Sequence, residues 1–167
     1  MQPQAGRLLI ATPLIDEPVF YRTVVLLLDH GQHGSAGVVL NRPGDELVAS
    51  LIPGLEPLVG PEATISIGGP VEARGVLGVT LGDAGELMPA DLDEVVDGVP
   101  LKIYRGYAGW EPGQLEAEVA DEVWWVVPAD AADVFGPVPL QRWYEVVARQ
   151  NDRRRWYKHL PDDFSVN

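Results

Sequence analysis

The chain has no cysteine and only three histidines in 167 residues. Without cysteine there are no disulfides, thiolate nucleophiles, Cys-based zinc sites or iron–sulfur clusters, so any chemistry falls to His, carboxylates, Tyr or backbone amides. No apolar run approaches the roughly 18 residues that a bilayer span needs. Residues 1–7 hold one basic residue and no apolar segment ending in a small-residue cleavage site, so the expected address is cytoplasmic. Positive charge is also scarce: 12 Lys and Arg face 25 Asp and Glu, a formal net charge of -13. A field of that sign repels DNA, whose binding draws most of its affinity from neutralised phosphates. The one local exception is the C-terminal set Arg142, Arg149, Arg153, Arg154, Arg155 and Lys158. It reads either as a solvated helix end paired with acids or as a direct DNA contact.

What is present is ordinary for a soluble globular chain: 46% hydrophobic and 22% charged residues. The length predicts a single domain over residues 1–167, with a polar tail from about residue 161, burying about 70% of its unfolded surface. Leu8 to Ala11 is a short apolar run readable as a first strand, and Thr23 to Leu28 is a continuous one that suits a strand covered on both faces. His30 to Gly37 reads as a glycine-rich loop, followed by a strand over Val38 to Asn41. Further strands are predicted over Thr64 to Ile67, Gly75 to Leu81, Val99 to Tyr104 and Val123 to Val127. Helices are predicted over Asp45 to Ile52, Pro89 to Val96, Asp130 to Phe135 and Leu140 to about Arg154, with Pro53 to Pro61 a loop. Strands and helices interleave without a βαβ period, which favours an α+β fold: a mixed, mostly antiparallel sheet flanked by helices.

The segment Gly106-Tyr107-Ala108-Gly109-Trp110-Glu111-Pro112-Gly113-Gln114 holds three glycines around two aromatics and runs into an acidic helix start. Following the Val99 to Tyr104 strand, such glycine density reads as a loop that forms a shaped surface. In the helix that follows, Leu115 and Val119 are expected to face the core, with Glu111, Gln114 and Glu118 on the other face. A carboxylate there does acid–base work only if buried. In the loop Asp29 to Gly37, His30 and His33 three apart make a weak metal site, and Ser35 lacks the first glycine and following helix of a nucleophile elbow. Asn41-Arg42-Pro43 ends its strand with a guanidinium able to reach a carboxylate or an anion. Gly68-Gly69-Pro70 reads as a tight turn.

Taken in order, Gly6-Arg7-Leu8-Leu9-Ile10-Ala11-Thr12-Pro13, Arg22-Thr23-Val24-Val25-Leu26-Leu27, Gly34-Ser35-Ala36-Gly37, Asn41-Arg42-Pro43, Gly68-Gly69-Pro70-Val71, and Gly106 to Trp110 with Gly113 to Glu116 resemble the bacterial AlgH/YqgE family across nearly the whole chain. The resemblance implies a small cytoplasmic protein of α and β structure, labelled a transcriptional regulator, with no established activity, catalytic set, metal or cofactor to carry over. It names a candidate surface for a protein or small-molecule partner: His30, Asn41, Arg42, Gly68, Gly69, Tyr107, Trp110, Gln114 and Glu116. Relatives often carry a cysteine where this chain has Asp29, so a redox role does not transfer. An alternative reading is a small hydrolase or metal-dependent enzyme using His30 with Glu116 or Glu118.

Overall fold

A computed structural model describes residues 1–137 and 139–161. The strands are β1 (Arg7–Ala11), β2 (Val24–Gly31), β3 (Gly34–Val39), β4 (Ser66–Ile67), β5 (Val71–Leu81), β6 (Leu87–Ala90), β7 (Leu101–Trp110) and β8 (Trp124–Pro128). The helices are α1 (Val48–Leu51), α2 (Glu56–Val59), α3 (Gln114–Ala120), α4 (Ala131–Phe135) and α5 (Arg142–Ala148), with 3₁₀ turns at Pro139–Gln141 and Arg153–His159. The strands form one sheet in the order β6-β5-β7-β3-β2-β1-β8, each neighbour antiparallel, while β4 adds in parallel to β7. The fold is α+β, a largely antiparallel sheet flanked by helices.

The continuous apolar runs have the expected cause. Leu8, Ile10, Val24, Leu26 and Val38 pack on one face with Val134 of α4 and Trp143, Val146 and Val147 of α5. Leu9, Ala11, Val25, Leu27 and Val39 pack on the other with Leu115 of α3, Trp110 and Trp124. Each buried Leu or Val contributes about 1.5–3 kcal/mol of transfer free energy, so alternation within a strand supplies both layers. The indole Nε1 of Trp143 donates to the Ala11 carbonyl at 2.8 Å, fixing α5 over β1. A third apolar cluster, Val48, Leu55, Ile65, Leu101 and Ile103, lies under α1 and α2.

Several elements differ from their sequence expectation. Gly106 to Trp110 is the second half of the ten-residue β7, because β5 pairs on one side and β3 on the other. His30 to Gly37 is mostly ladder: β2 and β3 close over Gln32 and His33 alone. Residues 89–96 form no helix. Pro89 sits in β6, a terminal strand of the sheet where its missing N–H breaks no second ladder, and the Asp91 carboxylate accepts the Asp93 N–H at 2.9 Å to start a turn. The helix expected from Asp45 contracts to α1, capped by Leu47 without a side-chain bond, and the loop over residues 53–61 contains α2. The long C-terminal helix stops at Ala148. Asp152 then accepts the Arg154 N–H at 2.9 Å and begins the 3₁₀ turn, a local bond that competes with helix continuation.

Gly68 is no simple turn either. Its N–H donates to the Arg105 carbonyl and its carbonyl accepts from Val39, so it extends the β4 pairing between β3 and β7. The backbones meet there without side chains: Gly106, at φ +71, would drive a Cβ into the Gly69 carbonyl oxygen. Most of the expected polar tail from residue 161, residues 162–167, lies outside the described residues.

Candidate functional site

The register places one residue each from β2, β3 and β7 in a row, His30 opposite Ser35 and Ser35 opposite Trp110. Leu27 pairs with Gly37 but Asp29 pairs with Ala36, so Leu28 is an extra residue on β2. One inserted residue reverses the side-chain alternation beyond it. His30 is thereby turned onto the face covered by α3, where Ser35 Oγ lies 2.7 Å from its Nδ1. Its Nε2 lies 3.6 Å from Glu116 Oε1, an electrostatic contact too long for a good hydrogen bond. Helix α3 itself starts after Gly113 and is closed at its entry by the Glu111 N–H donating to Gln114 Oε1 at 2.9 Å.

Glu118 does not stand on the solvent face with Gln114, as the spacing suggests. It is three residues after the buried Leu115, hence beside it on the helix, and its carboxylate turns inward. Its Oε2 accepts the indole N–H of Trp110 at 2.9 Å and that of Trp124 at 2.8 Å, while Oε1 accepts the Gln114 amide at 3.0 Å. The two indoles meet edge to face at 5.9 Å, and Phe20 stacks on Trp110 at 6.5 Å and meets the edge of Trp124 at 5.7 Å. Against these rings opens a cavity of about 420 Å³, lined also by Leu14, Ile15, Asp16, Glu17, Gln114, Glu118 and Val123. Among the described residues, three carboxylates and no Lys or Arg line it.

The nine candidate residues divide among three places. His30, Trp110, Gln114 and Glu116 gather around α3. Asn41 and Arg42 lie at the open end of the β2–β3 hairpin, away from its turn. There Asn41 Oδ1 accepts the Val24 N–H at 3.0 Å and its amide donates to the Arg22 carbonyl at 2.7 Å, replacing a ladder rung and holding Arg22 at φ +53. Arg42 donates to the carbonyls of Pro18 and Tyr21 at 3.1 and 3.2 Å. A cavity of about 390 Å³ opens here between Arg42, Arg22, Tyr21 and the rings of Trp143 and Tyr144. Gly68 and Gly69 pack on the backbone of Gly106 and Tyr107, and the Tyr107 ring joins the apolar cluster on the α5 face. Sequence reasoning missed Phe20, Ser35 and Trp124 as neighbours of the α3 group. The doubled Trp124-Trp125 in a strand was the available signal, because alternation must send one ring to each face.

The C-terminal cations are mostly paired. Arg149 meets Asp133 at 2.7 Å and Asp130 at 3.6 Å, and its hydrogen bond to the buried Asp133 holds its pKa above the ordinary value. Arg142, itself buried, meets Glu145 at 3.0 Å. Arg153 meets Glu122 at 3.5 Å, and Arg154 meets Asp152 at 2.5 Å. At the β2–β3 turn, His33 bonds Asp29 at 2.7 Å and holds that carboxyl below its usual range. Among the described residues, no three His, Asp or Glu side chains could hold one metal ion, and no helix is long and apolar enough to cross a membrane.

Comparison with known proteins gives a consistent result. Residues 8–155 match the model of the AlgH-like family. A UPF0301 protein of Streptomyces coelicolor is 39% identical, with 97% of this chain and 94% of the relative covered. A UPF0301 protein of Mycobacteroides abscessus is 36% identical over 88% of this chain and 80% of its own. Two solved structures share the fold. A Corynebacterium diphtheriae protein superposes with a TM-score of 0.84 at 28% identity, covering 96% of this chain and 94% of that one. The solution structure of the AlgH protein from Pseudomonas aeruginosa gives 0.67 at 32% identity, covering 96% and 97%.

Proposed function

The chain belongs to the AlgH-like family, and from that premise we propose a cytoplasmic regulatory protein that acts indirectly, by binding a macromolecular partner or a small ligand, and has no catalytic role of its own. The observation that carries this reading is the cavity beside α3. Its aromatic walls are held by a carboxylate whose hydrogen bonds go to those walls, an arrangement that fixes a shape before anything binds. Direct DNA contact is disfavoured by the net charge of -13 and by acids already seated on four of the six C-terminal cations.

The hydrolase reading has one observation in its favour, the chain Ser35–His30–Glu116. Two others weigh against it. The strands on either side of β3 pair with Ser35 and its neighbours, so their ladders engage the backbone amides there, and His30 does not line the cavity.

The test is affinity capture from native cytoplasm with the full chain and with Asp16→Lys/Glu17→Lys, which reverses charge at exposed positions on the cavity rim. A protein or metabolite held by the parent and lost from the variant supports the reading; the same bound set on both refutes the cavity as the site. A shift of ordinary duplex DNA at about 50 mM salt, where electrostatic binding is strong, overturns indirect action. Ester hydrolysis abolished by His30→Ala replaces binding with catalysis.

A further inference from the structure

We propose that the cleft between the β5–β6 hairpin and residues 91–100 is a docking surface for a basic amphipathic segment of a partner protein. The cleft has a volume of about 500 Å³ and an apolar floor that includes Leu81, Met88, Val95, Val96 and Val99. Val96 is 64% exposed and Met88 40%, so this apolar surface is not consumed by the fold. Exposed apolar surface gathered in one concave place and rimmed by polar groups marks an interaction site.

The rim has one sign of charge. From Asp83 to Leu101 the chain carries six acids and no Lys, Arg or His. Asp83, Glu86, Asp91 and Glu94 line the cleft, and none of the six acids takes part in an ion pair among the described residues. The hydrogen bonds they make close local turns: Glu86 accepts the Ala84 N–H, and Asp91 accepts that of Asp93. Carboxylates elsewhere in the chain hold arginines in place, at Asp133, Glu145 and Asp152, whereas these hold no cation. Like charges around a low-dielectric cleft focus a field that attracts the opposite sign.

The two features select the occupant. Apolar side chains seated on the floor, with Lys or Arg on either flank, satisfy both; an anionic lipid surface or a nucleic acid is repelled by the rim. A second copy of the chain is disfavoured because each copy carries a net charge of -13. The cleft shares no lining residue with the cavity beside α3, so the proposal stands whether or not that cavity binds anything.

The experiment titrates the full chain into a fluorescent amphipathic peptide of lysines and leucines, leucines at helical spacing, followed by anisotropy at about 50 and 500 mM salt. Three variants accompany it: Asp91→Lys/Glu94→Lys and Val96→Asp at the cleft, and Asp45→Lys/Asp121→Lys at exposed positions that line neither the cleft nor the cavity beside α3. The two double variants change net charge equally, so they separate local recognition from overall attraction. The expected result is micromolar binding to the parent, weakened about tenfold or more by either cleft variant and by high salt, and nearly unchanged by the distant variant. Circular dichroism confirms that each variant keeps its fold. Equal weakening by both double variants, equal binding of a peptide with serine for leucine, or no binding to the parent overturns the proposal. So does sedimentation showing a self-association abolished by Val96→Asp, since a second copy then covers the cleft.

Discussion

Replacing Glu118 with alanine tests whether one carboxylate holds the α3 side of the molecule together. The substitution removes the acceptor for two indole N–H groups and the Gln114 amide, at 2.9, 2.8 and 3.0 Å. Both indoles belong to buried residues, Trp110 at 7% and Trp124 at 2% exposure, so water does not readily replace the lost partner. Each buried donor left unsatisfied costs about 1–3 kcal/mol. The two share one acceptor and are not additive, which sets the expected loss at about 2–4 kcal/mol. That is a large part of the ~5–15 kcal/mol that holds an ordinary domain folded. At this chain length it lowers Tm by roughly 4–16 °C. Glu118→Gln keeps one oxygen for the indoles but turns an amide toward the Gln114 amide, so it falls between parent and alanine variant. Urea denaturation followed by tryptophan fluorescence measures both. An alanine variant within about 0.5 kcal/mol of the parent, the ordinary range for surface substitutions, refutes the assignment of Glu118 as the support of these rings.

Three further outcomes are expected. Gly106→Ala and Gly113→Ala both place alanine at positive φ, near +71 and +79, but only the first meets backbone: Gly113 is open, while Gly106 faces the Gly69 carbonyl. Chemical denaturation should find a cost of about 1–2 kcal/mol at 113 and clearly more at 106; equal costs refute the close-approach argument. Tyr104→Phe should leave stability equal or raise it by about 1 kcal/mol, because among the described residues the buried Tyr104 hydroxyl meets no hydrogen-bond partner and burial pushes its pKa up. A clear loss of stability shows that the hydroxyl is satisfied. Asp29 has its carboxyl pKa depressed chiefly by the hydrogen bond from His33, so its contribution is present above the ordinary value of 3.8 and is lost as pH falls through the lower folded value. The pair is exposed and the effect is small. Acid titrations of the parent and His33→Ala should differ above pH 4 and converge well below it, and a difference growing toward low pH contradicts the sign.

Much of the fold was legible because its strongest strands are long, apolar and β-branched. The stretch from Thr23 to Leu28 reads as a strand buried on two sides and Leu8 to Ala11 as a short strand, and the structure buries both on both faces. Prediction failed where a local signal competed with a distant partner. The glycines at 106 and 109 suggested a loop, yet they lie in a central strand. At 106 another backbone crosses too closely for a side chain. Pro89 suggested a helix start, and became instead a residue of a terminal strand.

By itself the sequence determined which chemistries are absent, the acidic field, the two-sided burial of β2, and the family pattern that runs through the chain. Composition and period carry that information locally. Only the tertiary structure decided which residues meet. A single extra residue at Leu28 reverses the alternation of β2 and brings His30 to Ser35 and Glu116. Two tryptophans fourteen positions apart share one carboxylate only because β7 and β8 reach the same face under α3. The cleft of the β5–β6 hairpin likewise turns an acidic run into a charged rim around apolar side chains. Period and burial are set residue by residue, whereas partner choice depends on register between distant strands, and a shift of one residue there changes every neighbour.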